Sequence, residues 1–182
     1  VVRSTVPVGA SRGVVLPELL ARWGRARLAF CPERTIQGQA LHELEVLPQV
    51  VGGLDAASRE AAAALFSRLT ARIVPVSSLE AAEMVKLVNN CHTDLIYAYG
   101  NEVALMAEGW HLDPLEVIRA ANLDYPRPDL AKPGFVGGGC LSKDPYLLVA
   151  SARGTGHEPW LVERSRGLNE RLPVHVAERF LA

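Results

Sequence analysis

In GFVGGGCLSKDP, residues 134–145, Cys140 follows three glycines and is itself followed, three and four residues on, by Lys143 and Asp144. Thiol chemistry is the first reading of this stretch. The glycines clear side chains from one side of the sulfur and let a substrate approach. Lys143-Asp144-Pro145 has the form of a helical first turn, because proline is favoured there, and Tyr146-Leu147-Leu148-Val149-Ala150 continues in helical composition. A helix N-terminus and an ammonium close to a cysteine both favour the nucleophilic thiolate. The bland alternative is a small buried hydrophobe, the commoner fate of a lone cysteine.

Two further groups of residues could contribute. Lys86, Asn90, Thr93 and Tyr97 recur at spacings of four, three and four, which lines them up as a polar stripe on an otherwise apolar helix. A lysine beside an asparagine amide can bind an oxyanion or hold a sugar hydroxyl; otherwise the stripe is a solvated face. Cys31-Pro32-Glu33-Arg34-Thr35-Ile36-Gln37-Gly38 follows a predicted strand, at the kind of strand end where open α/β sheets place ligands. Glu33 is there a candidate acid or base and Arg34 a candidate anion contact, against the plainer reading of a surface ion pair. Thr5, in Ser4-Thr5-Val6-Pro7-Val8-Gly9, stands at a similar strand end, where its hydroxyl can hold a cofactor or a water.

The elements that must position these groups change character partway along the chain. Residues 1–76 alternate short strands with helices: strands at 1–6, 26–31, 48–53 and 71–76, and helices near 11–23 and over 55–70, the second capped by Asp55 or Ser58. That pattern predicts an α/β fold with a parallel sheet covered by helices. From Ser77 onward only helices are expected. Ser77 with Glu80 forms a capping-box signature, and Met84, Val85, Val88, Leu95, Ile96, Val103, Leu105 and Met106 carry one helix to Glu108-Gly109, ~30 residues or ~45 Å at 1.5 Å per residue. Such a helix suits a spine or a dimer contact. Helices at 113–122, 143–153 and 159–182 follow, with Pro173 interrupting the last. The chain opens within a strand and closes in a helix without a C-cap, so it reads as cut at both ends.

Composition removes several function classes. With 182 residues, 49% of them hydrophobic, the chain can bury a real core, and a formal charge of −1 from 19 basic and 20 acidic residues builds no obvious face for nucleic acid or an anionic membrane. No apolar run reaches the ~18 residues that span a bilayer. Three separated cysteines fit free thiols in a reducing cytoplasm better than a disulfide framework, and neither they nor the five histidines have metal-ligand spacing. No metal is expected.

STVPVG, CPERTIQG, EMVKLVNN and GGGCLSKD, in this order and at these separations, resemble the UDP-glucose/GDP-mannose (nucleotide-sugar) 6-dehydrogenase family, nearest its UDP-N-acetyl-D-mannosamine branch, over nearly the whole chain. The resemblance implies oxidation of the C6 alcohol of a UDP-sugar to a carboxylate with two equivalents of NAD, through a Cys140 thiohemiacetal and thioester. It implies that Lys86 and Asn90 hold the developing oxyanion, that Asp144 and Thr5 order a water, and that Glu33 is an acid or base. Arg34, Thr35, Gly134 and Arg127 match sugar-nucleotide contacts, with Arg127 reaching a neighbouring subunit, and Thr5 and Lys143 match contacts to NAD. The expected architecture is the C-terminal part of a Rossmann-like domain (1–76) followed by a central helical domain (77–182) through which the protein forms a homodimer or higher homo-oligomer.

The match has gaps. Gln37 stands where the family often has a second carboxylate, Ser142 replaces a proline of glucose-specific members, and Thr93 stands where acetylmannosamine-specific enzymes can carry arginine. No Gly-x-Gly-x-x-Gly follows a strand, so the resemblance implies a chain without the N-terminal fingerprint and without the C-terminal UDP-binding domain. Three other readings stay open: a UDP-glucose 6-dehydrogenase, a non-catalytic helical dimerisation module, and a cysteine hydrolase or acyltransferase using His92, His111 or His157 as base.

Overall fold

The computed structural model describes residues 1–126 and 129–181. Two compact units divide the chain, Val1–Val88 and Asn89–Ala182, and the division falls inside the long helix α4 (Leu79–Gly109).

The first unit is built around β2 (Gln49–Gly53), which is buried at every position. It lies between β1 (Ala29–Phe30) and β3 (Ile73–Pro75). Side chains alternate across a strand with period two, and the core divides accordingly. Leu28, Phe30 and Val50 pack with Leu79 and Ala82 of α4 and with Leu16 and Leu19 of α1 (Leu16–Trp23). Ala29, Cys31 and Val51 pack on the other face with Ala62 and Phe66 of α3 (Ala56–Phe66). Asp55 caps α3, accepting from Ser58 N–H at 2.7 Å. Helix thus covers both sheet faces.

The sheet is mixed, which corrects the expectation of a parallel one. β2 and β3 are parallel, with Gln49 opposite Ile73, but β1 runs antiparallel to β2, with Ala29 opposite Gly53 and Phe30 opposite Gly52. The connections explain the difference. Between β2 and β3 lies α3, which buries Ser58, Ala62 and Phe66 against the sheet, as a parallel crossover requires. Between β1 and β2 lies α2 (Ala40–Val46), a helix the sequence reading passed over. It buries no residue and makes no crossover. The expected strand at 1–6 shrinks to one parallel bridge from Val2 to Phe30, with a bend at Ser4 turning the chain off the edge. A π-helical turn at Ser11–Val15 leads into α1.

The second unit contains the rest of α4 with α5 (Pro114–Asn122), α6 (Gly138–Leu141), α7 (Asp144–Ser151) and α8 (Trp160–Leu181). The helix boundaries follow the expected segments closely. At the head of α4 the cap is Ser78 rather than Ser77, accepting from Ala81 N–H at 3.1 Å. α8 continues through Pro173 instead of breaking there. Proline forfeits one main-chain hydrogen bond, while buried Leu172 and Asn169 keep that stretch packed. α6 occupies what read as a glycine loop.

The face of α4 that packs is not the bulky apolar one. Met84, Val88, Ile96 and Met106 are exposed, whereas Leu79, Ala82, Glu83, Leu87, Cys91, Asp94, Ala98 and Asn101 are buried. Small and polar side chains therefore share the inner stripe with Leu79 and Leu87. Gly100 shows how close the approach is, since a Cβ there would lie 2.2 Å from the Ala131 carbonyl oxygen.

Candidate functional site

Cys140 is exposed, on the four-residue turn α6. A Cβ on Gly137, Gly138 or Gly139 would meet nothing within 4 Å, so the approach to the turn is open. Only Gly138, at φ +86°, is required by backbone conformation. The other two cysteines are different in kind. Burial pushes the Cys31 thiol up to about 11, against the pull of Arg3, and pushes the Cys91 thiol up to about 12, with Asp94 and Asp144 adding to the effect. Both are protonated and buried, which leaves Cys140 as the accessible thiol.

Asp144, at the start of α7, is fully buried. A buried carboxylate needs partners, and it has two: the Asn90 amide of α4 donates to Oδ2 at 2.5 Å, and the Lys143 ammonium pairs with Oδ1. Lys143 is the N-cap of α7, and its N–H donates to the Cys140 carbonyl at 3.1 Å. Its charge is thus committed to Asp144 rather than standing free beside the thiol. Lys143, Asp144 and Asn90 form one cluster within the second unit, joined to Cys140 through its backbone carbonyl. Among the described residues no hydrogen bond joins Cys140 to a histidine, and no group of three or more His, Cys, Asp or Glu could hold a metal ion.

Gly134 is fixed at both ends of its peptide unit by Asn101, whose Oδ1 accepts from Gly134 N–H at 2.7 Å and whose amide donates to the Gly134 carbonyl at 3.0 Å. Thr93 is tied to its own helix, donating to the Asn89 carbonyl at 3.1 Å. Lys86 and Asn90 are half-buried on α4, and Tyr97 is exposed.

The first unit brings together Glu33, Arg34 and Thr35. Glu33 accepts from Thr35 N–H at 2.8 Å and pairs with the Arg3 guanidinium. Partial burial works to raise its pKa, but the Thr35 and Arg3 contacts outweigh it and hold the carboxyl below the ordinary Glu range. Arg3 also lies 4.8 Å above the Phe66 ring and donates to Gln49. Arg34 donates to the Pro48 carbonyl at 2.5 Å. Thr5 is half-buried in the loop between Val2 and the π-helical turn. Arg127 lies outside the described residues.

Sequence reading missed the groups that secure these segments. Buried Glu83 accepts from Gly9 N–H at 2.6 Å and Ser11 N–H at 2.8 Å, anchoring the turn after Thr5. Asp94, Asn101, Arg166 and Asn169, all buried, form a second anchor under the segment 134–141. The available signal was spacing: Asp94 and Asn101 are seven apart on α4, and Arg166 and Asn169 three apart on α8, so each pair shares a helix face.

A thiol on an open glycine turn beside an amide, a carboxylate and an ammonium fits covalent chemistry on a carbonyl, and comparison with known proteins places the chain in a family. It belongs to the UDP-glucose/GDP-mannose dehydrogenase family, whose central-domain profile matches residues 80–171. It is 33% identical over 180 residues to the UDP-N-acetyl-D-mannosamine dehydrogenase of Methanocaldococcus jannaschii, covering 98% of this chain and 40% of that protein. Among solved structures it superposes on the UDP-D-ManNAc dehydrogenase of Pyrococcus horikoshii with a TM-score of 0.87 at 33% identity, covering 97% of this chain and 42% of the other. The UDP-glucose dehydrogenase of Pyrobaculum islandicum gives 0.82 at 26% identity, over 98% and 43%. The chain therefore spans about two fifths of the length of these relatives.

Proposed function

We propose that this chain is the thiol-bearing segment of an NAD-dependent nucleotide-sugar dehydrogenase that oxidises the C6 alcohol of a UDP-sugar to a uronate. The reading rests above all on one observation: exposed Cys140 shares a turn with Lys143, and the buried Asp144 that follows is hydrogen-bonded to Asn90. UDP-N-acetylmannosamine is the favoured substrate over UDP-glucose, because the N-acetylmannosamine relatives share 27–33% of their residues with this chain, the highest of them 33%, and the glucose relative 26%.

Bound NAD supplies a hydride acceptor, once for the alcohol and once for the aldehyde level. The chain's own residues account for the steps between. The Cys140 thiolate adds to the aldehyde carbon, giving a thiohemiacetal; loss of hydride leaves a thioester; water then releases the carboxylate and regenerates the thiol. Lys86 and the Asn90 amide are assigned to the oxyanion, and Asp144, with Thr5, to the hydrolytic water. Glu33, held ionised by Arg3 and Thr35, suits a base rather than an acid. Arg34, Thr35, Gly134 and Arg127 are assigned to the sugar nucleotide.

Thr5 and Lys143 supply donors suited to ribose or phosphate oxygens of NAD. In the first unit the Gly9 and Ser11 amides are taken by Glu83 and are not open to a phosphate. The first unit, with its α3 crossover, is read as part of a Rossmann-like domain. Exposed Ile96, Tyr99 and Met106 on α4 suit self-association of the helical unit. Among the described residues no helix is long and apolar enough to cross a membrane, and three free cysteines suit the cytoplasm.

The test uses the full-length protein with a panel of UDP-sugars, following NADH and the acid product separately. Cys140→Ala is expected to abolish acid formation while sparing some alcohol–aldehyde interconversion. Undiminished acid production by Cys140→Ala overturns the proposal.

A further inference from the structure

We propose that Arg166, with Asp94, Asn101 and Asn169, positions Cys140, and that this buried cluster is required for the thioester stage rather than for the first oxidation. The inference rests on the thiol chemistry proposed above and adds residues to it.

The segment from Gly134 to Leu141 has little to hold it by itself. Its glycines touch nothing on their side-chain side, α6 buries no residue, and Phe135 is exposed. Apart from half-buried Val136 and Leu141, its position comes from its backbone, and the carbonyls of Gly134, Val136 and Leu141 meet one cluster. Arg166, 2% exposed, donates through one terminal nitrogen to the Leu141 carbonyl at 3.0 Å and through the other to the Val136 carbonyl at 3.0 Å. These two carbonyls bracket Gly137-Gly138-Gly139-Cys140. Asn101 clamps both polar atoms of Gly134, just upstream.

Each donor is in turn held. The nitrogen that reaches Leu141 also donates to Asp94 Oδ1 at 2.7 Å, Asn169 donates to the same oxygen at 3.0 Å, and Asn101 donates to Asn169 Oδ1 at 2.9 Å. One connected network thus runs from α4 and α8 to three backbone points flanking the thiol. A planar guanidinium can bridge two carbonyls and a carboxylate at fixed angles, and an ammonium cannot. None of the four side chains contacts Cys140 itself, so the role is positioning. The engagement is incomplete, since Asp94 Oδ2 and Arg166 Nε are buried without a hydrogen-bond partner, Nε lying 3.3 Å from Glu170 Oε1; burying such groups is costly, and a simpler apolar contact would serve if stability alone were needed.

A thiolate displaced by about 1 Å from its line of attack loses roughly a hundredfold in rate. The first hydride transfer does not use the thiol. Arg166→Lys and Asn169→Ala in the full-length protein should therefore leave conversion of the alcohol to the aldehyde within about threefold of wild type. Acid formation from supplied aldehyde should fall about tenfold to a hundredfold, with free aldehyde accumulating. The ratio of the two rates, read on one preparation, is a readout that simple loss of folded protein would not move. Equal losses in both steps, or no loss in either, overturn the positioning role. If Arg166→Lys does not fold, Asn169→Ala, which removes donors to Asp94 and leaves the Asn101–Gly134 hydrogen bonds in place, decides by the same criterion. Cys140→Ala measured alongside separates the two proposals: acid formed without the thiol overturns the thiol reading itself, whereas acid lost there with unaltered network variants overturns only the positioning role.

Discussion

At the level of single residues, the cluster is arranged around a carboxylate that would be unstable alone. Asp144 has no exposure, so its charge depends on the Asn90 amide and the Lys143 ammonium, and both come from positions next to the thiol in space or in sequence. Its proposed task is to hold the water that cleaves the thioester. Asp144→Asn keeps the volume but turns one acceptor into a donor facing the Asn90 amide and the Lys143 ammonium. Acyl-enzyme hydrolysis should fall about a hundredfold or more, consistent with loss of a general base, while acylation of Cys140 is slowed far less. Mass spectrometry of the full-length protein during turnover should then show the thioester adduct on the peptide containing Cys140. Turnover at the wild-type rate without adduct would remove Asp144 from the mechanism.

At the level of elements, helices were legible in the sequence because their signals are local. The limits of α4 and α5 follow from Ser/Asp caps and terminal glycine or asparagine, and α3 from its alanine run behind Asp55. Cys140, Lys143 and Asp144 were legible for the same reason, being four residues apart at most. Strand direction was not, because it depends on whether the intervening helix packs on the sheet, as α3 does and α2 does not. The inner stripe of α4 was not legible for a related reason: the partners of Asp94 and Asn101 lie 33 to 75 residues away. Gly100 sits on that stripe. Its missing side chain lets the segment leading to Gly134 lie directly on α4, and a methyl group would collide with the Ala131 backbone at 2.2 Å. Gly100→Ala should cost about 1–3 kcal/mol, the usual penalty for overpacking, measured by chemical denaturation. It should also reduce acid formation more than the first oxidation, since the displaced segment carries the Cys140 turn. A variant as stable as wild type would show that the segment yields without strain.

Over the whole molecule the charges nearly cancel at pH 7, with a formal total of −1, so net repulsion does not set stability near neutrality. Individual carboxylates contribute to the response to pH. In the first unit Glu33 and Glu80 both have depressed pKa values. For Glu33, burial acts upward but the Thr35 and Arg3 contacts prevail; for Glu80, the hydrogen bond from Arg12 is the main cause. A carboxyl whose folded pKa is lowered contributes stability that is complete above its unfolded value, about 4.3 for Glu, and is lost as pH falls through the folded value. Thermal stability should therefore change little on this account between pH 7 and about 5, then drop on further acidification. Replacing both residues with glutamine removes the titrating groups, so Glu33→Gln/Glu80→Gln should be less stable than wild type at pH 7 and should converge with it in acid. Melting curves at a series of pH values test this directly. A constant difference between the two proteins down to strongly acid pH would show that the contacts of Glu33 and Glu80 act through packing and not through charge.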